Sequence, residues 1–232
     1  MNEIEVTQGI SQAIFATNGH KNGNGDNRIL ILAPHTDDGE LGCGATAVKF
    51  IEGGADVYYA AFSLAEESVP PPFPSNILET EVKAATAKLG IPERSLLLFK
   101  YRVRHFAHHR QEILEDLVRL NKDLKPTLVI MPCLHDLHQD HTTIAMEGLR
   151  AFKRNSVICY ELPWNNINFT TQCFVTISAK QLQRKVDALN CYESQKQRDY
   201  LSADFIKGLA ITRGTQIGQQ YAEAFEISRW IL

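Results

Sequence analysis

The run Ile29-Leu30-Ile31-Leu32-Ala33 is apolar at every position, and similar runs return at Val57 to Phe62, Leu96-Leu97-Leu98-Phe99 and Thr127-Leu128-Val129-Ile130-Met131. A strand with one wet face alternates apolar and polar residues. Unbroken runs belong to strands covered on both faces, as in a parallel sheet. Helical stretches lie between them. Gly44 to Glu52 ends at the capping pair Gly53-Gly54, and Ser75 can cap a helix that runs to Leu89 and closes at Gly90. Gln111 to Leu124 places Ile113, Leu114, Leu117, Val118 and Leu120 on one face before Pro126 stops it. Further helices are expected near Thr142 to Lys153 and from Ser178 to about Tyr192, with strands at Val157 to Leu162 and Phe174 to Ile177. This alternation marks βαβ units, so the expected fold is α/β: a Rossmann-like, three-layer α/β/α arrangement with a mostly parallel sheet. Residues 193–216 are polar and poorly periodic, and Tyr221 to Trp230 reads as helix or strand. No internal repeat is visible, so a single domain is expected over 1–232, with an N-terminal arm and loop at 1–27 and the core at 28–232.

Charge narrows the partners. With 24 basic and 27 acidic residues the net charge is −3, which offers no broad basic field to a nucleic acid or an anionic membrane. A small molecule is the expected ligand. The start, Met1-Asn2-Glu3-Ile4-Glu5, lacks the basic and apolar regions of a signal peptide, and no apolar run approaches the roughly 18 residues of a membrane span. A cytoplasmic protein is expected. Five cysteines, Cys43, Cys133, Cys159, Cys173 and Cys191, are odd in number and contain no C-x-x-C pair, so reduced thiols are expected rather than a disulfide framework or a cysteine zinc knuckle.

The 8 histidines are unevenly placed. Pro34-His35-Thr36-Asp37-Asp38 directly follows the first apolar run, and His135-Asp136-Leu137-His138-Gln139-Asp140-His141 follows the fourth. In doubly wound sheets strands one and four are usually neighbours where the strand order reverses, and ligands bind beyond their carboxyl ends. One His and one Asp from the first cluster with one His from the second make a three-ligand site with an open position, as catalytic zinc favours. Adjacent Asp37 and Asp38 should point in different directions, so that one binds metal while the other faces a water. His138 and His141 share a face if a helix starts there, and Asp140 can orient an imidazole. Taken singly, an Asp-Asp pair reads as a solvated turn and His-x-x-His as an ordinary surface pair. Their shared position after apolar strands favours metal.

Two other groups have weaker support. His105, His108 and His109, mixed with Arg102, Arg104 and Arg110, form either a basic helix entrance or a contact for anionic substrate groups. Gly42-Cys43-Gly44-Ala45-Thr46-Ala47 fits G-x-G-x-x-A, with Glu66 placed like a ribose-binding acid, so a dinucleotide module is an alternative reading. That fingerprint normally opens right after its strand, whereas eight residues separate Ala33 from Gly42, which favours close helix packing. A metal-dependent phosphoesterase is a second alternative. It would more often need extra carboxylates for two metals.

At these residues the sequence resembles the PIG-L/LmbE family of zinc-dependent N-acetylglucosamine deacetylases. The family's A-H-P-D-D-E followed by G-C-G-G-T corresponds to Ala33-Pro34-His35-Thr36-Asp37-Asp38-Gly39 and Gly42-Cys43-Gly44-Ala45-Thr46. Its D-x-H-x-D-H is matched by Asp136, His138, Asp140 and His141. Weaker similarity runs through Glu81 to Leu89-Gly90 and Tyr221-Ala222-Glu223-Ala224-Phe225. The resemblance implies His35, Asp38 and His141 as ligands of Zn2+ or another divalent transition metal. It implies Asp37 as general base, with His138, supported by Asp140, stabilising the oxyanion and protonating the leaving amine. Arg102, Arg104, His105 and Arg110 are candidate substrate contacts. The implied reaction removes an N-acetyl group from an N-acetylglucosamine-type sugar conjugate, and a homo-oligomer is in keeping with the resemblance. Thr36 replaces the usual proline and Gly39 the usual glutamate, with Glu40 next door. Leu78 stands where many members carry an arginine.

Overall fold

Strands hidden on both faces need a helical layer on each side, and the chain builds them. In the computed structural model, which describes residues 27–231, one sheet contains β1 (Arg28–Ala33), β2 (Asp56–Ala61), β3 (Leu96–Leu98), β4 (Leu128–Pro132), β5 (Ser156–Tyr160), β6 (Cys173–Thr176) and β7 (Ala222–Arg229). The strand order is β3-β2-β1-β4-β5-β7-β6. The first five strands of that order run parallel, and β7 is antiparallel to both β5 and β6. The α-helices among the described residues are α1 (Asp38–Glu52), α2 (Ile77–Leu89), α3 (Arg110–Leu124), α4 (Gln139–Ala151), α5 (Ala179–Leu189) and α6 (Ala203–Thr215). The arm at 1–26, His20 included, lies outside the described residues.

The period of two along β1 divides the core. Ile29, Ile31 and Ala33 join a cluster with Leu41 and Ala45 of α1, Val82 of α2 and Leu182 of α5. Leu30 and Leu32 join the opposite cluster with Ile113 and Leu117 of α3 and Ile144 of α4. These are the two outer layers of the expected α/β/α sandwich. The expected elements return with shifted ends. The uncertain 221–230 stretch is strand β7, and Ser178 caps α5 through a capping box with Gln181. Helix α6 was not legible in the polar 193–216 stretch because it buries only Ile206, Ala210 and Gly214, too few for a clear apolar face.

Helix α1 begins at Asp38, six residues before the expected Gly44, and breaks at Cys43, whose φ and ψ are −148° and 23°. The break frees two amides, and β7 supplies their acceptor. Glu223 takes the N–H of Ala45 at 3.3 Å and of Thr46 at 2.7 Å. Lys185 of α5 pairs with Glu223 at 2.6 Å and donates to the Leu41 carbonyl at 2.7 Å. One buried ion pair therefore re-satisfies both sides of the kink and lets the first turn of α1 aim Asp38 at the sheet's carboxyl edge. The glycines serve the same packing. A Cβ at Gly42 would lie 2.3 Å from the Tyr160 ring. Gly42 to Ala47 lies inside α1 rather than at its start, which removes the dinucleotide reading.

Removing one partner of a buried pair leaves the other charge stranded. Lys185→Met is expected to lower unfolding free energy in a denaturant titration by about 3 kcal/mol. A loss below about 1 kcal/mol would mean that the pair behaves like an exposed one.

Candidate metal centre and active site

The β1–β4 pairing joins the two polar clusters. His35 follows β1, Asp38 opens α1 and His141 lies in the first turn of α4. His35 Nδ1 lies 3.1 Å from Asp38 Oδ2, His141 Nε2 lies 3.2 Å from the same oxygen, and the two ring nitrogens are 3.2 Å apart. Donors about 2.0–2.1 Å from a shared ion, at angles near 100°, lie roughly 3.1–3.2 Å from one another. The triangle therefore has the dimensions of a three-ligand metal site. The donor atoms of His35, His138 and His141 also gather within 4.8 Å of one another. The set containing Asp38 is tighter and includes an anionic oxygen, so it fits a divalent cation better.

The outer imidazole nitrogens support the same conclusion. His35 Nε2 faces Asp140 Oδ2 at 3.1 Å, and His141 Nδ1 faces Asp136 Oδ2 at 2.8 Å. Carboxylates on the outer nitrogens hold the protons there, leaving the inner lone pairs for a cation. This corrects one expectation. The Asp140 carboxylate supports His35 rather than His138, and also accepts the backbone N–H of Arg104 at 2.5 Å and of Phe106 at 3.2 Å. Asp140 meets His138 through its own backbone: the Asp140 N–H donates to His138 Nδ1 at 3.2 Å, making His138 the N-cap of α4. That bond leaves Nε2 as the protonated nitrogen of a neutral His138 ring.

Environment separates otherwise similar side chains. Burial pushes the Asp38 carboxyl up, but the imidazoles of His141 and His35 outweigh it and hold it well below the carboxylate range. Burial and then the Asp38 charge push Asp37 up to about 6, against the opposing charges of Arg198 and His35. The Asp37 carboxylate makes no helix-capping hydrogen bond, and it lines the cavity. Burial disfavours protonated His141, yet Asp38 and Asp136 outweigh it and raise the imidazole to about 10. Burial, followed by the charges of His35 and His141, lowers His138 to about 4.

The floor beneath this loop explains Gly39 and Glu40. A Cβ at Gly39 would lie 2.4 Å from the Tyr59 ring. Tyr59 and Tyr192 both bond to the buried Glu40 carboxyl and to the Thr36 carbonyl between His35 and Asp37. Burial pushes Glu40 up to about 8, so its carboxyl is neutral near pH 7.

The triangle opens into a cavity of about 320 Å³, at the small end of ligand pockets. Leu41, Ala65, Leu78 and Val103 supply apolar lining, and Trp164, Asn165, Gln195, Arg198 and Tyr200 supply aromatic and polar lining. The basic candidates Arg102, Arg104, His105 and Arg110 are not among the residues that line it. Arg102 pairs with Glu67 at 2.6 Å, and Arg110 pairs with buried Glu147 at 2.5 Å. Arg104 is exposed and contributes its backbone: at φ 68° its amide reaches Asp140. Only Ser68 and Val103 reach the cavity from the loops at 66–76 and 101–110. His135 is exposed. Glu81 binds the Ser194 N–H and hydroxyl at 2.9 and 2.6 Å, fixing the turn that carries Gln195. The aromatic and Arg198 wall was missed because its turn has no helical or strand period.

The PIG-L family profile, described as GlcNAc-PI de-N-acetylase, matches residues 30–152 and so covers both polar clusters. The chain belongs to the PIG-L family. It is 24% identical to the diacetylchitobiose deacetylase of Thermococcus kodakarensis over 221 residues, 84% of this chain and 81% of that protein. The structure of N,N'-diacetylchitobiose deacetylase from Pyrococcus horikoshii superposes with TM-score 0.72 at 18% identity, covering 98% of this chain and 93% of the other. GalB, the 4-carboxy-2-hydroxymuconate hydratase of Pseudomonas putida, superposes with TM-score 0.73 at 17% identity, covering 89% and 98%. The structural likenesses establish the fold. Because a hydratase shares it, the reaction must be argued from the site. No helix among the described residues is long and apolar enough to cross a membrane.

Protonated His141 cannot ligate, so metal uptake must displace its proton. With that imidazole raised to about 10, calorimetry at pH 8 in buffers of different ionisation enthalpy is expected to register proton release on metal binding. Affinity should rise with pH up to that value. Asp136→Asn should weaken metal binding roughly 10- to 100-fold, and unchanged affinity would remove Asp136 from the ligand support.

Proposed function

We propose that this protein is a zinc-dependent N-deacetylase that hydrolyses the acetamide of an N-acetylglucosamine-type sugar conjugate and releases acetate. The observation carrying this reading is the pairing of a three-donor triangle with a second carboxylate, Asp37, outside the triangle but in the same cavity. Membership of a de-N-acetylase family and likeness to diacetylchitobiose deacetylases support it. A phosphoesterase with two metals finds less support, because Asp37 and Asp38 are the only carboxylates that line the cavity among the described residues.

His35, Asp38 and His141 would hold zinc, whose Lewis acidity would acidify a water and polarise the acetyl carbonyl. Asp37 acts as general base. Its raised carboxyl is ionised above about pH 6 and basic enough to take the proton of the attacking water. His138 faces the same cavity as a neutral ring with its proton on Nε2, suited to donate a hydrogen bond to the oxygen that gains charge. The proton taken by Asp37 is available for the departing amine, with His138 close enough to share the transfer.

Acetate release measured across a panel of N-acetylglucosamine conjugates tests the reading directly. Turnover of at least one member that chelation abolishes is expected, and hydrolysis of phosphate esters instead would overturn it. Asp37→Asn should retain metal yet lose activity roughly 10²- to 10⁴-fold. Because the base must be ionised, kcat/KM should fall as pH drops through about 6, and Asp37→Asn should abolish that limb. Metal loss in Asp37→Asn equal to that in His141→Ala would contradict the separation of base from ligand.

A further inference from the structure

Arg198 is the only Lys or Arg among the described residues lining the cavity, and the catalytic roles above do not use it. It is half-buried and lines the same cavity as Leu78. Its Nη1 donates to the Tyr200 hydroxyl, and its Cζ lies 5.8 Å from the Tyr200 ring centroid. Tyr200 is in turn stacked on Trp164, with centroids 4.1 Å apart and planes 8° from parallel. Phe205 backs Trp164 edge-on at 5.8 Å. The guanidinium is thus held by one edge on a rigid aromatic pile. Its remaining N–H groups have no acceptor among the described residues.

A half-buried guanidinium with donors free toward a cavity is hydrated until a ligand's oxygens take the place of that water. Two kinds of oxygen would suit the fork: an anionic group, or a pair of neighbouring hydroxyls. The Asp37 carboxylate lines the same cavity and is not one of the metal-holding donors, so it would oppose an anionic group there. Neutral hydroxyl oxygens meet no such opposition. Asn165 and Gln195, uncharged amides lining the same cavity, are further partners for hydroxyls.

We propose that Arg198 is a specificity-determining residue that receives vicinal hydroxyl oxygens of the pyranose ring, holding the sugar so that its acetamide meets Asp37 and His138. The inference rests on the deacetylase reading for its substrate class. It places sugar recognition on the Arg198–Tyr200–Trp164 wall and leaves the 102–110 basic segment out of it.

The test compares N-acetylglucosamine with its 3-deoxy and 4-deoxy analogues in the wild type, Arg198→Met and Arg198→Lys, all loaded with zinc. In the wild type, at least one deoxygenation is expected to lower kcat/KM roughly 10- to 100-fold. In Arg198→Met the parent sugar should lose a similar factor, and removing that same hydroxyl should cost little more. Arg198→Lys, which keeps charge but not the fork, should recover only part of the difference. If Arg198→Met instead lowers all three substrates by one common factor, Arg198 acts through charge or structure and the proposal is overturned. Calorimetric binding of glucosamine and its deoxy analogues provides a readout independent of hydrolysis. Hydroxyl-dependent binding lost in Arg198→Met, in a wild type that releases no acetate, would sink the deacetylase reading and keep this one. Equal binding by wild type and Arg198→Met would sink this one alone.

Discussion

The organising constraint is the meeting of three donor atoms, His35 Nδ1, Asp38 Oδ2 and His141 Nε2, at 3.1–3.2 Å from one another. Two imidazole lone pairs directed at one point repel unless a proton or a cation lies between them. The surrounding carboxylates favour the cation by holding the ring protons on the outer nitrogens. Much of the local fold serves this arrangement. The β1–β4 pairing joins the two loops, the break in α1 aims Asp38, and Asp140 ties the 104–106 backbone to His35. The buried Lys185–Glu223 pair supports the site from behind by completing the broken helix.

Chemical division of labour follows from surroundings rather than residue type. Asp37 and Asp38 are consecutive, yet one carboxyl is pushed up to about 6 and the other held well below its usual range. His138 and His141 stack at 4.7 Å, yet one is lowered to about 4 and the other raised to about 10. Groups whose affinities for protons are driven apart in this way can act as ligand, base and hydrogen-bond donor in one small cavity.

The sequence made the sheet and the centre legible because both rest on local patterns. Unbroken apolar runs identified the covered strands, and polar clusters at their ends marked the carboxyl edge where the donors meet. Helix α6 escaped because only a few small or apolar residues pack inward, and the first turn of α1 was obscured by a break that only long-range partners on β7 and α5 complete. The resemblance links Asp140 to His138; the structure joins those two through the Asp140 backbone N–H and gives the carboxylate to His35, a distinction that no sequence pattern carries. In the Arg102 to Arg110 segment, which reads as either a basic helix entrance or a substrate contact, Arg102 pairs with Glu67 and Arg110 with Glu147. Arg198 sits in an irregular turn, and tertiary packing on Tyr200 brings it to the cavity.

The most direct test of the central claim is a titration of chelator-stripped protein with Zn2+, following acetate release from an accepted N-acetylglucosamine conjugate and bound metal together. The account predicts that activity climbs with the first equivalent bound and that His141→Ala neither binds that equivalent nor gains activity. Undiminished acetate release from the stripped protein, or full metal binding by His141→Ala, would contradict it.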